Sequence, residues 1–60
     1  MANEVVRVGV ANDGELTLPV SEVKEWEPKK INYMGDVVYF KAGDTFYSMK
    51  TVDFKQIFEL

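Results

Sequence analysis

Apolar and polar positions alternate along most of the chain, and the period changes only near its end. In VVRVGVA, residues 5–11, Val6, Val8 and Val10 fall on one face while Val5, Arg7 and Gly9 fall on the other. That is the pattern of a half-buried strand. Asn12-Asp13-Gly14 follows, and these residue types accept positive φ and mark a turn. ELTLPV, residues 15–20, alternates again with Leu16, Leu18 and Val20 inward. Pro19 has no N–H for a ladder, so this strand ends there or lies at a sheet edge. A first hairpin is expected.

SEVKEWEP, residues 21–28, admits two readings: Ser21 capping a single helical turn that carries Val23, or a short strand over KEWE that points Trp26 inward. Pro28 stops any helix before it lengthens. The expectation is a turn at 21–23 and a strand at about 24–27. PKKINYMG then reads as a connection containing Ile31, Tyr33 and Met34. DVVYFK and TFYSM are rich in β-branched and aromatic residues and flank AGD, a second hairpin. With Gly43-Asp44 as its loop, Phe40 opposes Tyr47 and Val38 opposes Met49, which leaves Tyr39, Lys41, Phe46 and Ser48 on the other face. A longer loop would shift this register.

In KTVDFKQIFEL the period becomes helical. Phe54, Ile57 and Phe58 stand at i, i+3 and i+4, with Leu60 alongside. Thr51 is the expected N-cap, and Asp53 suits the positive end of the helix dipole. So short a helix does not persist alone and must pack on the sheet. The expected fold is one α+β domain over residues 1–60: a small twisted antiparallel β-sheet of four to five strands with the C-terminal helix packed on one face. An SH3-like small barrel is the alternative.

Composition adds constraints. A chain of 60 residues makes a marginal core, and the sequence has no Cys and no His, hence no disulfide and no zinc or haem site of the usual kind. Stability must come from apolar residues, 47% of the chain, or from homo-oligomerisation. The N-terminus lacks the basic and apolar regions of a signal peptide, and no apolar run approaches the length of a membrane span, so a soluble, cytoplasmic protein is expected. The net charge of −3 disfavours general nucleic-acid binding. Its acidic excess lies in the first 28 residues, at Glu4, Asp13, Glu15, Glu22, Glu25 and Glu27.

Catalysis has few candidates. The commonest base and the best nucleophile are absent, and Ser21 and Ser48 have no base nearby in sequence. Glycines 9, 14, 35 and 43 form no phosphate loop, and Glu25 with Glu27 reads as a solvated strand face. No enzyme, cofactor or metal is expected. The aromatics carry more. Tyr39 and Phe46, with Lys41, Ser48 and Tyr33, are the candidate partner-binding residues, because amphipathic aromatics favour protein interfaces. A nucleic-acid binder would instead use Lys29, Lys30, Lys41 and Lys50 with Tyr33 and Tyr39. One continuous lysine stripe would favour that reading, and scatter among carboxylates a protein partner. Trp26 is expected in the core.

PVSEVKEWEP followed by VVYFKAGDTFYSMKTVDFKQIFEL resembles the front of the LytTR-type DNA-binding domain of bacterial response regulators. It is also similar in rhythm and length to the short FlbD/SwrD-type bacterial proteins linked to flagellar functions. The resemblance covers about residues 15–60 and implies a strand-turn-strand-helix topology. LytTR-type domains also place basic and polar residues in DNA-facing loops, where this chain offers Lys29, Lys30 and Asn32. The expected function is a small non-enzymatic protein-interaction module, a regulator or inhibitor acting by protein contact. The alternatives are a LytTR-like nucleic-acid-binding module and a self-assembling structural subunit.

Overall fold

The computed structural model describes residues 4–59. Five strands form one antiparallel sheet: β1 (Val5–Val10), β2 (Gly14–Pro19), β3 (Lys29–Met34), β4 (Val37–Ala42) and β5 (Thr45–Lys50). Helix α1 (Val20–Val23) follows β2, and helix α2 (Thr51–Phe58) follows β5. The spatial order is β2-β1-β5-β4-β3, so β2 and β3 are the two edges and the sheet stays open. The α+β expectation holds, and the barrel alternative does not.

Turn chemistry sets the registers. Gly43-Asp44 closes the β4–β5 hairpin as a two-residue loop with Gly43 at φ 64°, pairing Ala42 with Thr45. Phe40 then opposes Tyr47 and Val38 opposes Met49, as the alternation requires. In the first hairpin Val5 opposes Pro19, so the proline sits on the free edge where its missing N–H costs no ladder bond.

Both helices cover the same face. Val6, Val8, Val23, Val38, Phe40, Met49 and Phe54 form its buried core, with Leu18, Val20, Trp26, Tyr47, Ile57 and Phe58 packed around them. Leu16 shares that face but remains 45% exposed, because it lies on the edge strand at the end remote from α1. Phe40 is the hub. Its ring centroid lies 5.3 Å from that of Phe54, 5.9 Å from Tyr47 and 6.3 Å from both Trp26 and Phe58.

Four local expectations are corrected. Residues 24–27 are not a strand: the N–H groups of Lys24, Glu25 and Trp26 bond back to Val20, Glu22 and Val23 carbonyls, and the chain turns. Trp26 still points inward, stacked on Tyr47 at 4.5 Å. The connection at 29–34 is a strand, irregular between Lys29 and Asn32 where Lys30 takes φ 52°. Ser21 caps nothing; Pro19 holds the N-cap position of α1, and Glu4 carbonyl accepts from Val20 N–H. Thr51 is the first helical residue and not the cap, and its hydroxyl donates to Gly35 carbonyl at 2.7 Å. The expected contribution of Leu60 lies outside the described residues.

Helix α2 holds the sheet through Phe54, so Phe54→Ala should cost about 3–5 kcal/mol. That is comparable with the roughly 3–5 kcal/mol that one small core supplies. Circular dichroism is expected to show no cooperative thermal transition for this variant. An unchanged midpoint would contradict the packing of α2.

Candidate protein-interaction surface

Alternation that buries Phe40 and Tyr47 must turn their neighbours away from the helices. Tyr39 and Phe46 accordingly lie on the helix-free face, 50% and 51% exposed. Ser48 is directly opposite Tyr39, and Lys41 is directly opposite Phe46. Lys41 Nζ stands 5.5 Å from the Phe46 ring centroid, a cation–π contact that steadies an exposed aromatic. Four of the five residues expected to form a partner surface are thus together.

Tyr33 is not with them. It pairs with Val38, and so it belongs to the helix-covered face. Its ring meets Phe54 edge-on at 5.9 Å, Lys55 Nζ lies 5.9 Å from its centroid, and its hydroxyl donates to the Glu59 carboxylate. The one-residue step from Asn32 to Tyr33 decides this, since it is Asn32 that opposes Tyr39. With residues 29–34 read as a connection, that parity had no basis.

The sequence reading also missed the centre of the face. Gly9 opposes Ser48 on one side and Glu15 on the other. A Cβ at Gly9 would lie 2.5 Å from Ser48 Oγ but 3.7 Å from the Ser48 carbonyl oxygen, so glycine here leaves room for the Ser48 hydroxyl and leaves the face open above it. The result is a dip of about 350 Å³ over Gly9 and Ser48, walled by Tyr39, Phe46 and Glu15. A glycine inside an alternating strand was the available signal.

Lys29 opposes Lys41 at one end of the sheet, whereas Lys50 opposes Val37 at the other. The four lysines therefore do not form one stripe, and Tyr33 and Tyr39 lie on opposite faces. Among the described residues, no helix is long and apolar enough to cross a membrane, and no group of three or more acidic, His or Cys side chains could hold a metal. No protein-family model, curated protein or solved structure matches the chain.

The Glu59 hydrogen bond, then partial desolvation and the nearby negative charge, raise the Tyr33 phenol above its ordinary value of 10.0. A raised value means that the fold favours the neutral phenol. This stabilisation is complete below the ordinary value and lost as pH rises through the raised one. Wild type should therefore exceed Tyr33→Phe in thermal midpoint near neutrality, and the difference should begin to shrink only above about pH 10, as the free phenol ionises. A difference independent of pH would show that the phenol–carboxylate bond contributes nothing.

Proposed function

We propose that this protein is a small non-enzymatic protein-interaction module, a regulator or inhibitor that works by contact in the cytoplasm and engages its partner with the helix-free face of the sheet. The observation that carries this reading is the half-exposed pair Tyr39 and Phe46 beside the Gly9–Ser48 dip. Aromatic anchors next to a concavity, rimmed by Lys41, Glu15 and Asn32, have the composition of an interface core with a polar rim. The opposite face is occupied by α1 and α2 and is not available for the same role.

Charge placement supports a protein partner over a nucleic acid. A phosphate backbone needs a continuous run of cations. Lys50 is separated from the Lys29–Lys41 pair by the length of β4, and Glu15 shares the face with them. The LytTR-like reading would also need base-stacking aromatics on one surface, whereas Tyr33 packs against Phe54.

Replacing both Tyr39 and Phe46, by Ser and Thr, should leave the far-ultraviolet spectrum and thermal transition nearly unchanged. The same double variant should lose the binding partners retained by wild type when each is purified and titrated. Titration with the partner retained, or unfolding of the variant, would overturn this assignment of the face.

A further inference from the structure

The middle of the sheet is not fully closed. β1 pairs with β2 over six positions but with β5 over only two, Gly9↔Ser48 and Val10↔Tyr47. Continued in the same register, Arg7 would oppose Lys50. Instead the two strands part, and each stays with its other neighbour. Thr51 N–H donates to Asp36 carbonyl at 2.8 Å and Thr51 hydroxyl to Gly35 carbonyl, which hold the end of β5 to the β3–β4 turn. Val20 N–H donates to Glu4 carbonyl at 3.0 Å, which ties the start of β1 to α1 on the other side.

The divergence leaves a notch beside the first half of β1. Ala11 N–H bonds to Phe46 carbonyl, so by the two-residue period of a strand the backbone groups of Gly9, Arg7 and Val5 address the β5 side. Beyond Gly9, no strand among the described residues pairs with β1 on that side. A cleft of about 570 Å³ opens there, walled by Arg7, Val37, Lys50 and Asp53, and a second of about 330 Å³ continues past Val5 to Ile57. The core is thinnest at the same place. Val6 and Met49, which line the larger cleft, are 6% and 4% exposed, while every other core residue is at 1% or below.

We propose that this notch is a strand-addition site: an extended segment of a partner protein enters between β1 and α2, pairs through its backbone with Val5 and Arg7, and sets an apolar side chain against Val6 and Met49. Main-chain recognition of this kind uses unpaired strand groups for affinity and pockets for alternate side chains for selectivity. Arg7 and Lys50 are balanced at the cleft by Glu15 and Asp53, which suits an uncharged segment. A second copy is the poorer occupant, because the chain's own edges are guarded: β2 ends in Pro19 and β3 is bulged at Lys30. The inference goes beyond the aromatic face and does not depend on it.

Amide hydrogen exchange tests it with a blocked pentapeptide, acetyl-Thr-Val-Thr-Val-Thr-amide, as probe. In the free protein the Val5 and Arg7 amides should exchange fast, whereas Val6 and Val8, which address β2, should be protected. Excess peptide should slow Val5 and Arg7 by about tenfold or more, and N-methylating the peptide should abolish the effect. Val5→Pro removes a donor that faces the notch and no bond to β2, so it should fold and fail to respond. Slow exchange at Val5 and Arg7 in the free protein, or no response to the peptide, overturns the proposal. Protection that grows with protein concentration overturns it in favour of a second copy. Loss of partner binding in the Tyr39/Phe46 double variant with an unchanged peptide response would separate the two surfaces.

Discussion

Everything in this small fold turns on the burial of Phe40. Its ring touches aromatics contributed by the loop after α1, by β5 and by both turns of α2, and so joins elements far apart in sequence. Aromatic rings bury large apolar areas and gain further from tilted or edge-on contact. For a chain with no disulfide and no metal cluster among its described residues, this cluster takes the place of a covalent staple.

The same constraint creates the outer surface. A strand cannot bury adjacent residues on one side. Fixing Phe40 inward sends Tyr39 outward, and fixing Tyr47 inward sends Phe46 outward. With both helices committed to one face, nothing in the described chain covers the other. Gly9, with no side chain of its own, deepens that face beside Ser48, and β1 pairs with β5 at only two positions before the strands part. One side of the molecule therefore carries both an aromatic pair and a break in the sheet.

How much of this was legible depends on the range of the interaction. The β4–β5 register could be read because Gly43-Asp44 and the alternation on either side agree locally. Helix α2 was legible from Phe54, Ile57 and Phe58 for the same reason. Strand β3 was not, because every one of its residues is exposed and its bulge breaks the alternation, so no periodic signal exists over Lys29–Met34. That loss carried Tyr33 to the wrong face. Thr51 has the composition of a cap, but tertiary contact with the Gly35-Asp36 turn claims both its N–H and its hydroxyl. The short pairing of β1 with β5 is likewise a long-range feature that no single stretch of sequence records.

The central claim is that neighbouring aromatics in β4 have opposite roles, and the comparison of Phe40→Ala with Tyr39→Ala in equilibrium denaturation tests it most directly. Phe40→Ala should lose about 3–5 kcal/mol and with it the folded state. Tyr39→Ala, on the open face, should remain folded and lose no more than about 1 kcal/mol, within the ordinary range for single substitutions. Equal losses at the two positions, or a larger one at Tyr39, would contradict the account.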